Sequence, residues 1–271
     1  HHFLNHIYSL SLPPLFPLLK QSFGIGNTEV GLITSILSFT MVFFQLPMGI
    51  YSDKIGRKVI LLLCLALMIG ATVLTSFATF FWMILVFQIL LGIGISGYHP
   101  VGISAAADLA PEGRVGKFMS TQAIGGSLGV GLAPLILGGL GSILGWRIPL
   151  RIIALSGLPL LIFIGFSFSE TNSEKKEEEK TESKGLGVIV AIGLFYFFRA
   201  FVFKSITTFM PTYFVEIRNF SLALGGFTTS AFLLTGAFAQ PLGGYIADRT
   251  NKIWFILSSI IIGAILLFIL T

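Results

Sequence analysis

Residues 31–58 read GLITSILSFTMVFFQLPMGIYSDKIGRK, and residues 226–252 read GFTTSAFLLTGAFAQPLGGYIADRTNK. A single shift, carrying position 31 onto 226, aligns the two without a gap. Gly31, Thr34, Ser35, Thr40, Gln45, Gly49 and Asp53 then fall on Gly226, Thr229, Ser230, Thr235, Gln240, Gly244 and Asp248. Lys54 falls on Arg249 and Arg57 on Lys252. A shared apolar bias does not put the same glycines, hydroxyls and acid in one order, so the stretch is an internal repeat. Each copy is an apolar run closed by an acidic and basic turn, the pattern of a membrane-crossing helix that ends in a charged loop.

The rest of the chain agrees. Of 271 residues, 54 % are hydrophobic and only 11 % charged, with a mean hydropathy of +0.91. A soluble domain carries about 25 % charged residues, so a soluble enzyme and a disordered chain are both excluded. At about 20 residues per span, there is room for roughly eight or nine helices. The 27 Phe and 31 Gly suit closely packed membrane helices. The net charge of +5 is spread over loops and makes no basic patch for nucleic acid. Cys64 stands alone, which excludes an internal disulfide and a Cys-rich metal site. It reads as a small apolar filler, and no metal or cofactor site is read from the sequence.

Apolar runs place spans at 2–19, 28–50, 59–75, 80–107, 118–140, 148–168, 186–214 and 225–246, with a ninth from 253. Pro13, Pro14 and Pro17 break the first. The repeat shift crosses six spans, so the unit is a six-helix bundle with both copies in one orientation. Residues 1–168 form the first bundle, the polar run 169–185 a linker, and 186–271 part of a second. The chain opens and stops inside helices, and a fragment lacking the end of the second bundle is expected. Of the 17 Lys and Arg, eleven lie after even-numbered spans, four on the opposite side, and Arg199 and Lys204 inside the seventh span. The positive-inside rule then puts the linker, the even-numbered loops and the N-terminus in the cytoplasm.

Gly49-Ile-Tyr-Ser-Asp53-Lys-Ile-Gly56-Arg57-Lys58 resembles the signature of the major facilitator superfamily between its second and third helices. The degenerate copy around Gly244, Asp248 and Arg249 sits where that superfamily puts one. Gly145-Trp146-Arg147 is also similar to the family's pattern. His2-Phe-Leu-Asn5 and Tyr98-His99-Pro100-Val-Gly102 look like its fosmidomycin-resistance branch. The resemblance implies an all-α membrane protein of the major facilitator fold, with two six-helix bundles of which the second is truncated.

It implies further that the Gly49, Asp53, Gly56, Arg57 and Lys58 loop, with Gly244, Asp248 and Arg249, latches the two halves in one conformation. The plainer reading is a tight turn with topology-setting charges. The fifth span resembles an exporter motif, with Ala133 for a glycine before Pro134 and one extra residue before the Gly pair. Gly129, Pro134, Gly138 and Gly139 would then form a pliable bend, or serve ordinary small-residue packing.

No acidic residue falls mid-span. The titratable groups at membrane depth are His6, His99, Arg199 and Lys204, with His2 near an end. His2, Asn5, His6, Ser9 and Pro13 make a polar stripe that should face the bundle interior. Gln88, Gly92, Ile95 and His99 share another face, and Pro100 removes a backbone donor that would bend the helix. Gln88 stands where many proton-coupled relatives carry Arg. Asn5, His6, Gln88, Tyr98, His99, Gln122, Arg199 and Lys204 are the candidate substrate and proton pathway. Each has a packing alternative, and Arg199 could equally pair with a carboxylate outside this sequence.

The resemblance implies a secondary transporter, not an enzyme. It would move a small drug-like or anionic solute by alternating access, as proton-driven efflux. His6 and His99 would handle the proton, and Arg199 an anionic group. An uncoupled or importing facilitator of the same fold, or a non-transporting sensor, is the alternative. A monomer in the plasma (inner) membrane is expected, with lipid, solute and protons as partners, and no nucleic acid.

Overall fold

The computed structural model describes residues 1–111, 113–168 and 186–270. The expected linker at 169–185, with its four lysines, lies outside the described residues. All of the described regular structure is helical: α1 (His2–Ser9), α2 (Phe16–Phe23), α3 (Asn27–Ile55), α4 (Arg57–Ser76), α5 (Phe81–Ser96), α6 (Ile103–Asp108), α7 (Val115–Leu144), α8 (Arg147–Ser156), α9 (Leu158–Ser167), α10 (Leu186–Glu216), α11 (Leu222–Arg249) and α12 (Lys252–Leu270). Seven helices or helix runs are long and apolar enough to cross a membrane: α3, α4, α5 through α6, α7, α8 through α9, Val190–Glu216 of α10, and α11.

Prolines explain the interruptions. Pro13 and Pro14 start a 3-10 turn, Pro13–Leu15, that divides α1 from α2. Pro100 sits in a π turn, Tyr98–Gly102, joining α5 to α6. The sixth span, expected at 148–168, is present as the run Arg147–Ser167, made of two helices in succession. They meet at Gly157, because Pro159 at the start of α9 brings no N–H to continue the ladder. The repeat is visible in where helices begin: α3 and α11 start at Asn27 and Leu222, α4 and α12 at Arg57 and Lys252.

Small residues set how closely the helices approach. A Cβ at Gly92 of α5 would lie 3.0 Å from the Leu37 carbonyl of α3, and one at Gly94 would lie 2.9 Å from the Cys64 carbonyl of α4. Cys64 is buried and fills the space beside Gly97. The tightest crossing is α7 on α11. There a Cβ at Gly226 would collide with the Pro134 carbonyl, and one at Gly138 would lie 2.9 Å from the Leu222 carbonyl. Beside it the Leu135 N–H donates to the buried Ser230 hydroxyl at 2.8 Å.

One end of the bundle carries the α3–α4 and α6–α7 loops, and the opposite end is stitched. Lys20 pairs with Glu216 at 2.6 Å and also donates to Asn27 Oδ1 at 2.9 Å. Gly145 turns the chain after α7 with φ 69°, a conformation other residues rarely adopt. The turn presents Trp146 Nε1 to the Ser22 hydroxyl at 3.1 Å and Arg147 to the Ala78 carbonyl at 2.8 Å. Gly226→Val meets backbone on α7 that cannot step aside. It should cost about 1–3 kcal/mol or more, read as a lowered unfolding midpoint of the full-length protein in detergent. An unchanged midpoint would disprove the tight crossing.

Candidate functional site

Three elements converge near the open end: α1, the π turn and the first half of α7. On α1, His2, Asn5 and His6 share a face by +3 and +4 spacing, as the expected stripe requires. Asn5 is 1 % exposed. Its Nδ2 donates to the Ile95 carbonyl at 3.2 Å. Pro100 offers no N–H to the carbonyls one turn below it, and the Asn5 amide supplies a donor there from a neighbouring helix. Tyr8 secures the far side of α1 by donating to the Ile153 and Ala154 carbonyls at 3.2 and 3.0 Å.

Glycines of α7 make the seat for α1. A Cβ at Gly126 would strike the His2 ring, and one at Gly129 would strike the Phe3 carbonyl. Seated there, His2 Nδ1 lies 2.9 Å from the Gln122 carbonyl. A carbonyl only accepts, so Nδ1 carries the hydrogen. His2 Nε2 lies 3.0 Å from His6 Nε2. His99 from the π turn completes the group, its ring 5.5 Å from that of His2 and 5.8 Å from that of His6. Tyr98 stacks on His2 at 5.0 Å and accepts from Gln122 Nε2 at 3.2 Å. A cavity of about 420 Å³ opens beside them, lined by His2, Tyr98 and Gln122 in its depth and by Arg114 and Lys117 nearer the loop.

Asn5, His6, Tyr98, His99 and Gln122 are therefore brought together. Lys204, half-buried on α10, stands within electrostatic reach of His6. Arg199 does not join them: it is exposed on α10 and outside the cavity lining. Five residues turn a helix about 140° past the nearest full turn, so Arg199 and Lys204 face differently. Gln88 is buried on α5, outside the lining.

At the signature loop, Gly56 joins α3 to α4 with φ 99°. Gly49 lies against Pro100, with a Cβ there 3.4 Å away. Asp53 is exposed. The Arg57 fork pairs instead with Asp108 at the end of α6. Lys58 is half-buried. Gly244, Asp248 and Arg249 fall in the last turns of α11, where Arg249 donates to the Tyr245 hydroxyl and stacks over its ring. Along α7, Gly129 and Gly138 are taken up by contacts with α1 and α11, Gly139 faces open space, and the helix continues through Pro134. Sequence reasoning assigned no site role to Arg114, Lys117, Asp108 or Ser230. The small-residue face of α7 at Gly126 and Gly129 and the i, i+4 histidine pair on α1 were each readable, but nothing local in the sequence joins them into the α1 seat.

The model of the Major Facilitator Superfamily matches residues 2–271. The probable sulfoacetate transporter SauU of Cupriavidus necator is 22 % identical over 93 % of this chain and 63 % of its own length. The fosmidomycin resistance protein of Escherichia coli is 24 % identical over 96 % of this chain and 66 % of that protein. Among solved structures, a bacterial homologue of the human lysosomal transporter Spinster superposes with TM-score 0.81 at 19 % identity, covering 92 % of this chain and 60 % of that one. The fold is thus that of a multi-pass membrane transporter rather than an enzyme. The chain belongs to the major facilitator superfamily, and it spans about two thirds of the length of the curated relatives it matches.

The Asn5 amide is the local test of this arrangement. Asn5→Leu leaves the buried Ile95 carbonyl without that donor and should destabilise the protein by about 1–3 kcal/mol, seen in thermal unfolding. A neutral result would mean that the carbonyl finds another donor.

Proposed function

We propose that the protein is a secondary transporter that moves a small organic anion by alternating access, with its Lys- and Arg-rich end in the cytoplasm. The carrying observation is the cavity. Arg114 and Lys117 frame it, and His2, Tyr98 and Gln122 offer polar contacts in its lining. The opposite end is closed by the Lys20–Glu216 pair and the α7–α11 crossing. A carboxylate, sulfonate or phosphonate on a compact body fits such a space by charge and size. Relatives named for sulfoacetate transport and for fosmidomycin resistance support a small anionic or drug-like solute.

We take export to be driven by the proton gradient. The signature turn at Gly49, Asp53, Gly56, Arg57 and Lys58, with its copy at Gly244, Asp248 and Arg249, is the proposed latch. The α7 segment from Gly129 through Pro134 to Gly138 and Gly139 is the proposed bend. Arg199 and Lys204 would contribute cationic groups from the second half. One observation favours an uncoupled facilitator instead: no carboxylate lies at mid-span in the sequence.

The full-length protein in proteoliposomes decides between these. Flux of a compact sulfonate, phosphonate or carboxylate should exceed that of a neutral sugar. Replacing both Arg114 and Lys117 with Gln should raise the half-saturating anion concentration about tenfold or more. Equal flux in the double variant would refute the anion reading. An imposed pH gradient should accelerate flux, and indifference to it establishes the uncoupled reading. Separately, Lys20→Glu should weaken closure at the stitched end, read as faster labelling of a cysteine placed there. Exchanging the two charges, Lys20→Glu with Glu216→Lys, should restore slow labelling.

A further inference from the structure

The histidine group has the makings of a second site, beyond any contact that His2 makes with a transported solute. One ring nitrogen from each of His2, His6 and His99 lies within 4.8 Å of the other two. The three rings meet edge-on or tilted, so their nitrogens rather than their faces point at one another. His99 stands at 89° to His2 and 62° to His6, and His2 and His6 are tilted by 39°. Two histidines at i and i+4 on one helix present both imidazoles to a single point, a common way for a helix to offer two metal ligands. The third, His99, comes from the π turn Tyr98–Gly102 on a different helix run. The His2 tautomer is also set: its Nδ1–H is given to the Gln122 carbonyl, so Nε2 carries the lone pair, which accepts from His6 Nε2–H at 3.0 Å until an ion takes the place of that hydrogen. Ligating histidines are oriented in the same way, by handing the second ring hydrogen to a carbonyl or carboxylate.

We infer that His2, His6 and His99 form a three-imidazole site for a first-row transition ion of the zinc class, with a coordination position left over for water or another ligand. Neutral imidazoles suit zinc, copper and nickel over the hard alkaline-earth ions. Three histidines with an open position is an established zinc arrangement. His2 lines the cavity, giving an ion a path from the open end. The 3.0 Å between His2 and His6 nitrogens already approximates the separation of two ligands on one tetrahedral ion, and a His99 nitrogen within 4.8 Å of both has to close in on them. Gly126 is part of the design, since any side chain there displaces the His2 ring. The charged neighbour on α10, Lys204, opposes a cation. It therefore sets a limit on affinity that can be tested.

The inference does not rest on transport and is tested without measuring flux. The full-length protein, purified without a polyhistidine tag, is titrated with Co2+ as the spectroscopic probe and with Zn2+ in competition. Co2+ should give the intense visible bands of a four-coordinate site, and Zn2+ should abolish them at one equivalent. His6→Asn, His99→Asn and Gly126→Leu should each weaken binding roughly 100-fold or more. His99→Cys should restore it with a thiolate-to-cobalt charge-transfer band, which only a residue touching the metal produces. Lys204→Met should tighten binding about tenfold by removing the like charge. Weak octahedral Co2+ spectra, or binding unaffected by His6→Asn and His99→Asn in variants that keep the wild-type helical circular dichroism, would overturn the site. Flux that persists in metal-free protein leaves the transporter reading intact, so the two proposals fail independently.

Discussion

The structure turns on a crossing of two backbones. At the closest point of α7 on α11, Gly138 and Gly226 bring backbone against backbone, at the Pro134 and Leu222 carbonyls. In a lipid phase, apolar surface gains little from burial against other apolar surface. Close van der Waals approach and interhelical hydrogen bonds take over that role. The Ser230 hydroxyl accepting from the Leu135 N–H is one such bond, and it falls beside the proline where an α-helix has a free carbonyl to spare. The same helix α7 then carries Gly126 and Gly129 against α1, so one element positions both the cross-repeat contact and the polar cluster.

The cluster itself follows from interruptions. An uninterrupted α1 or α5 would satisfy its own backbone and have no need of Asn5. Because Pro100 withholds an N–H, Asn5 is drawn into the core, and its neighbours His2 and His6 come with it. Polar side chains at membrane depth are expensive. Here the expense is reduced by pairing them among themselves and with backbone: His2 with the Gln122 carbonyl, His2 with His6, and Tyr98 with Gln122.

Much of this was legible beforehand. The repeat from Gly31 to Gly226 and the signature around Asp53 carry the fold, because glycines and charges in a membrane sequence are too few to coincide by composition. The polar stripe on α1 and the special status of His99-Pro100 were readable from helical spacing. Partners across space were not. Arg57 takes Asp108 rather than Asp53, a choice that depends on how α4 and α6 lie together, which no local pattern encodes. Arg199 and Lys204 look equivalent in sequence, yet five residues of helix separate their faces. The break at Gly157 was hidden by an apolar run, even though Pro159 was in plain view.

The π turn has a consequence beyond its immediate neighbours. A turn of this kind accommodates one residue more than an α turn, so every side chain after it is advanced by about 100° around the helix. Ahead of Tyr98, the helix is phased so that Gly92 and Gly94 meet α3 and α4. Behind Gly102 the phase differs, and in that second phase Asp108 reaches Arg57. The extra residue thus acts as a gear between two registers on one helix. One seats Gly92 and Gly94 on α3 and α4 and the other carries Asp108 to the signature loop, and a deletion of Val101 within the turn would uncouple the two without removing any of those residues.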